Sequence, residues 1–318
     1  MDAALYLADL EAKPEALAGL ADALHGLYAE VPATARRVLF LGMGSSRYAA
    51  GVAALRLRSA GIDAVAEYAS AAASYPADPE TLVVAISASG GSRETLDAVE
   101  RYRGRSRVVA LTNKDGSAVT EGADAVLPML AGPEDGGVAC RTFQHTLALL
   151  LGLADHLTGT DTDISGLVRR AAEASADLLD RRGAWLEEAV ALLDGPHGVY
   201  TVAPAERLSS AQQSALMFRE GPRRQADACE TGDWAHVDVY LTKTYDYRAL
   251  FFPGSRYDEQ AMDWIRQRGS TVLTVGGDLP GQAASIRYRH DDDADVALLT
   301  ETLVAELIAA TYWRQTIG

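Results

Sequence analysis

Short runs of β-branched and apolar residues recur along the chain. Each is followed by a turn of small or polar residues and then by a segment whose apolar residues repeat at helical spacing. In the first half the strand-like runs are 37–41, 64–68, 81–86, 107–112 and 124–128, with helical segments over 46–59 and 94–102. Long helical stretches over 142–157 and 164–193 lead into a second series. Its strands are predicted at 198–203, 237–241, 249–252 and 271–275, and its helices at 208–220, 259–269 and 294–315. Strands alternating with helices predict an α/β protein with parallel sheets. The two similar halves suggest duplication, and the pattern divides the chain into 1–160, an N-terminal helix with a first domain, and 161–318, a linking helix, a second domain and a C-terminal helix.

The run Ser87-Ala88-Ser89-Gly90-Gly91-Ser92-Arg93-Glu94-Thr95 joins a strand to a helix through hydroxyls and glycines. Backbone N–H groups left over at a helix N-terminus carry partial positive charge, so such a turn can hold a phosphate without a lysine. Ser87, Ser89, Ser92 and Thr95 add neutral donors; the plainer reading is a serine N-cap on an ordinary turn. The second half lacks such a turn, so one phosphate site per chain is expected.

Charge narrows the partners. The net charge of −15 excludes the basic footprint that a nucleic acid or an anionic membrane requires. No uninterrupted apolar run approaches a membrane span, and the start of the chain lacks the basic and apolar regions of a secretion signal. Two cysteines, Cys140 and Cys229, form no disulfide framework and no metal pattern, which fits a reducing cytoplasm with no metal and no cofactor. Gly42-x-Gly44 after a strand invites a dinucleotide reading, yet Arg47 stands at the third glycine position; Glu67, near the ribose-binding distance, keeps nicotinamide as a minor alternative. His145, within a long apolar helix, reads as a buried or interfacial residue.

Taken together, Gly42-Met43-Gly44-Ser45-Ser46, the 87–92 turn, Leu111-Thr112-Asn113 and 116–124 resemble the SIS (sugar isomerase) family. The likeness is to its two-domain form, as in the isomerase half of glucosamine-6-phosphate synthase. The resemblance implies two flavodoxin-like subdomains with parallel sheets flanked by helices. It implies that Ser46, Ser87, Ser89 and Ser92 hold a sugar phosphate, with Gly44, Ser45, Glu134 and Arg141 around the pocket. Glu220, in Phe218-Arg219-Glu220, falls where the family places its catalytic glutamate, and His236 where a ring-opening histidine reaches the neighbouring subunit of a homodimer with a shared active site. A carboxylate at a helix C-terminus opposes the dipole, so Glu220 asks for a reason to be there.

Two departures bear on the chemistry. Met217 stands where the synthase has a lysine one turn before the glutamate, and the chain ends without the synthase's tail lysine. Only Lys13, Lys114 and Lys243 are available for a Schiff base. The expectation is therefore ring opening and C2 proton abstraction on an amino-sugar or N-acetylamino-sugar 6-phosphate, leading to deamination or dehydration. Aldose–ketose isomerisation and a non-catalytic phosphosugar sensor are the alternatives.

Overall fold

In the computed structural model, which describes residues 1–317, the strands form two five-stranded sheets. The first holds β1 (Arg37–Gly42), β2 (Asp63–Tyr68), β3 (Thr81–Ile86), β4 (Arg107–Thr112) and β5 (Ala125–Pro128), in the order β2-β1-β3-β4-β5. The second holds β6 (Val199–Ala203), β7 (Ala226–Glu230), β8 (Arg248–Phe251), β9 (Thr271–Val275) and β10 (Ala284–Ile286), in the order β10-β9-β8-β6-β7. Every pairing is parallel. Read from its other edge, the second sheet repeats the winding of the first, the flavodoxin-like order in which the chain reverses direction beside the first strand. The α/β expectation and the repeat of one architecture are both met.

Two compact units contain these sheets: Ala16–Pro133 with Arg141–Val168, and Met1–Glu15 with Glu134–Cys140 and Arg169–Gly318. In the first unit, Leu39, Leu41, Val83, Ala85, Val108 and Ala110 pack against Ala98, Val99 and Tyr102 of and beside the Arg93–Glu100 helix. In the second, Tyr200, Val202, Ala249, Phe251 and Val272 pack against Ala261, Met262 and Ile265 of the Asp258–Arg268 helix. All six residues of β3 are buried, which explains its unbroken apolar run.

The structure corrects three readings of the pattern. Residues 237–241 are not a strand: Asp238–Lys243 is a 3-10 helix, in which adjacent Asp238 and Val239 are both buried while Val237 and Tyr240, three apart, are exposed. The strand lies at β7 instead, a sheet edge whose Ala-Asp-Ala-Cys-Glu sequence carries little apolar signal. The expected 164–193 helix is broken into Ile164–Asp180 and Leu186–Leu193 by a 3-10 turn over Arg182–Ala184, and the C-terminal helix into Ala294–Thr300 and Thr302–Ile317.

The N-terminal Ala3–Glu11 helix is capped by Asp2, whose Oδ1 accepts from the Ala4 and Leu5 N–H groups at 2.8 and 2.9 Å. Beyond it, Lys13 forms an ion pair with Glu306, both side chains being fully buried. Burial pushes the Glu306 carboxyl up and the Lys13 ammonium opposes that shift. Removing one member leaves the other charged in an apolar interior, the costlier error. Lys13→Met is predicted to lower stability by about 3–5 kcal/mol, and adding Glu306→Leu to recover most of that loss. Urea denaturation checks this; a single variant as stable as wild type contradicts it.

Candidate functional site

In the 2-1-3-4-5 winding, ligands bind beyond the carboxyl ends of the strands where the chain direction reverses. In the first unit that place lies between β1 and β3, which pair directly with Leu41 opposite Ala85. The two Gly/Ser turns singled out in the sequence leave from these neighbouring strands. Gly44 takes φ +49 and caps the Ser45–Ser59 helix, with Ser45 and Ser46 half-buried in its first turn. After β3, Ser87 is buried, Ser89 and Gly91 are exposed, and Ser92 caps the Arg93–Glu100 helix.

The second turn is tied down on several sides. Ser87 Oγ accepts from the Ser92 N–H at 3.4 Å, and Ser92 Oγ accepts from the Thr95 N–H at 3.4 Å. Asn113 N–H donates to Ala88 O at 3.1 Å and Val119 N–H to Gly90 O at 2.9 Å, so the segment after β4 braces the loop. Gly90 has φ +66, and a Cβ there would sit 1.9 Å from Ser117 Oγ. Only glycine permits both the conformation and the approach.

Thr95 plays a different part from the one expected. It is fully buried and its hydroxyl donates to Ser92 Oγ at 3.2 Å, so it supports the turn from behind. The sequence reading also passed over Glu94. Its Oε2 accepts from Ser92 Oγ at 3.0 Å, and its own N–H together with that hydroxyl holds the exposed carboxyl below the usual range. The turn thus already carries one anion of its own. Arg141, the last of the expected pocket residues in this unit, is buried at the start of the Arg141–Thr158 helix and donates to Pro133 O. His145 is buried as expected, Nδ1 lying 2.7 Å from Met129 O.

The corresponding place in the second unit lies between β6 and β8, and it is filled from within. Asp258 Oδ2 accepts from the Gly254 and Ser255 N–H groups at 2.7 and 3.1 Å, taking the donors of the turn after β8. Arg207, from the turn after β6, donates to Pro253 O and through Nε to Glu301 Oε1 at 3.0 Å. A side-chain carboxylate stands there where the first unit leaves a turn of serines.

Glu220 ends the Leu208–Glu220 helix, which Gly221 and Pro222 stop. It is half-buried, and burial first, then the Glu134 carboxylate, pushes its carboxyl above the usual value. Glu134 is held by its Oε1, which accepts the Cys140 N–H at 2.7 Å. On the same side of Glu220's helix, Gln213 Nε2 donates to Ala139 O at 2.8 Å, and buried Met217 accepts from Tyr6 Oη at 3.3 Å. Tyr6 and the 134–140 segment thus meet this helix, an arrangement that no local pattern announces. His236 is exposed after the short Thr231–Trp234 helix, with its N–H donating to Asp233 O at 2.8 Å. Among the described residues no group of three or more His, Cys, Asp or Glu is disposed to hold a metal, and no helix is long and apolar enough to cross a membrane.

Two tests follow from these charges. Glu94→Gln removes an anion competing at the turn and is predicted to tighten sugar-phosphate binding about two- to fivefold, measured by calorimetric titration; weaker binding contradicts that role. For Glu220 the raised folded pKa means the folded state holds more protons than the unfolded one, so stability falls as pH rises through that window. Glu220→Gln is therefore predicted to raise the melting temperature at pH 8 and to leave it unchanged at pH 4; equal shifts at both pH values contradict this.

Residues 33–154 match the SIS domain family. The glutamine–fructose-6-phosphate aminotransferase (isomerizing) of Aeropyrum pernix is 34% identical over 223 residues, which are 66% of this chain and 36% of that protein. The chain therefore corresponds to well under half the length of that curated relative. Its fold is similar to the C-terminal domain of glucosamine-fructose-6-phosphate aminotransferase from Francisella tularensis, with TM-score 0.83, 15% identity and 98% and 96% of the two chains covered. It is also similar to glucosamine-6-phosphate deaminase from Thermotoga maritima, with TM-score 0.77, 20% identity and 98% and 94% covered. The chain thus carries an SIS domain over residues 33–154, and its second half repeats the winding of the first.

Proposed function

We propose that the chain acts on an amino-sugar or N-acetylamino-sugar 6-phosphate, opening the ring and removing the proton on C2. The phosphate is assigned to the turns after β1 and β3, with Ser46, Ser87, Ser89 and Ser92 as hydroxyl donors alongside the N–H groups at the start of the Arg93–Glu100 helix. A net charge of −15 makes a site built from uncharged dipoles the fitting one, since no basic field assembles the ligand from a distance. A relative named for fructose 6-phosphate and a structural neighbour named for glucosamine 6-phosphate support the substrate class.

The observation that carries the reading is the raised carboxyl of Glu220. A base must be strong enough to take a carbon-bound proton, and burial with the Glu134 carboxylate makes half-buried Glu220 a stronger base than an exposed glutamate. The C2 proton moves to Glu220 while the electron pair passes into the adjacent carbonyl as an enolate, for which nearby donors compensate. His236 is assigned to ring opening, moving a proton between O5 and O1. Its exposure beside exposed Val237 and Tyr240 supports the expectation that it serves a second copy of the chain in a homodimer.

The lysines favour lyase chemistry over amine transfer. Met217 is buried against Tyr6, Lys13 is committed to Glu306, and Lys114 and Lys243 are exposed, the latter at the end of the 3-10 helix. None of these is offered as a Schiff-base amine. With a free 2-amino group, reprotonation at C1 leaves an imine at C2 that water hydrolyses to a ketose phosphate and ammonia. With an acetylated nitrogen, the enolate expels the 3-hydroxyl as water.

Incubation with glucosamine 6-phosphate and its N-acetyl form in deuterated water is predicted to place deuterium at C2 of one of them, with ammonia or a dehydrated sugar as product. Glu220→Gln should slow exchange by about a hundredfold or more while sugar-phosphate binding persists. Exchange retained in that variant rejects Glu220 as the base, and an aldose–ketose pair as the sole products replaces the lyase outcome by isomerisation.

A further inference from the structure

Two buried residues bracket His236 and share one hydroxyl. Trp234, two positions before it, donates its indole N–H to Tyr247 Oη at 2.8 Å. Tyr247 Oη in turn donates to Oδ2 of Asp238, two positions after it, at 3.1 Å. Trp234, Tyr247 and Asp238 are 0%, 1% and 6% exposed, while His236 and Val237 between the flanks face solvent. The exposed imidazole therefore rides on a turn whose two ends are fixed inside the unit.

Tyr247 is itself held firmly. It lies immediately before β8, its ring stacks on Tyr200 of β6 at 4.3 Å and 19°, and the Trp234 ring meets it edge-on at 6.1 Å. A phenol is suited to this place because its oxygen accepts from the indole while its hydrogen goes to the carboxylate, so one group bridges the two flanks. Burial pushes the Asp238 carboxyl up to about 6, and the Tyr247 hydrogen bond opposes that shift. Arg268 donates to Val239 O at 3.0 Å and to Thr242 Oγ1 at 3.2 Å, fixing the 3-10 helix that follows. Between Trp234 and Asp238, the exposed residues are His236 and its neighbour Val237.

We propose that the Tyr247 hydroxyl is a positioning group for His236, a staple that holds both flanks of its turn so that the imidazole is presented in one orientation. The role rests on the assignment of His236 to ring opening. Its test separates the two.

Tyr247→Phe keeps the ring packing and removes both hydrogen bonds. Hydrogen–deuterium exchange of the intact protein is expected to quicken about tenfold or more in peptides spanning 231–243, with the peptides of the first sheet unchanged. Asp238→Asn keeps an acceptor for the hydroxyl and is expected to stay near the wild-type exchange rate, whereas Asp238→Leu behaves as Tyr247→Phe; this pair decides the matter if Tyr247→Phe fails to fold. In turnover, Tyr247→Phe is expected to lower kcat on a cyclic hexosamine 6-phosphate about tenfold or more, with KM little changed. It should leave kcat unchanged on a 4,5-dideoxy analogue that cannot close a ring. Equal losses on both substrates, or unaltered exchange over 231–243, overturn the proposal. A wild-type protein inert toward every sugar phosphate removes the enzymatic reading, and exchange over 231–243 then decides the staple alone.

Discussion

The winding of a parallel sheet gathers uncharged donors in one place, which suits the proposed binding of an anion by an acidic chain. Where β1 and β3 run side by side and their connections depart to opposite faces, two turns and two helix N-termini open at the same end of the sheet. The conformation of the second turn depends on Gly90, whose positive φ and contact with Ser117 admit no side chain. Ser87, Ser92 and Thr95 then lock the turn to its helix through their own hydrogen bonds. Backbone dipoles fixed in this way need no reorganisation when a ligand arrives.

The second sheet shows how the same winding can be put to another use. Its corresponding turn has its N–H groups satisfied by Asp258, and the adjacent Arg207 by Glu301 and Pro253. The unit instead carries the proposed acid–base groups on the elements around its sheet: Glu220 at a helix end, with Glu134 on the 134–140 segment, and His236 on the turn between Trp234 and Asp238. On the proposed reading, one copy of the fold grips the anion and the other moves protons. A buried Lys13–Glu306 pair ties the chain just beyond the N-terminal helix to the last helix of that second unit, linking its stability to a lysine shut away from solvent.

The central strands were legible because burial on both faces writes an unbroken apolar run, as in 81–86. The edge strands of the second sheet were not: β7 carries Ala, Asp and Glu, and β10 has three residues, so neither rises above its surroundings. The 237–241 segment misled because its alternating valines and aspartate imitate a strand, while the burial of neighbouring Asp238 and Val239 follows from contacts with Tyr247 and Arg268. The serine turn was readable because caps and cradles are local chemistry. Asp258 in the second turn, Tyr6 on Met217 and the Tyr247 staple each depend on partners brought together by the fold, and spacing along the chain carries no trace of them.

A titration of the protein with a hexosamine 6-phosphate, followed by calorimetry for wild type and Gly90→Ala, addresses the claim that one turn of uncharged donors holds the ligand. One molecule bound per chain in wild type, with binding abolished in a folded Gly90→Ala variant, is the predicted result. Two molecules per chain, or undiminished binding in that variant, would contradict it.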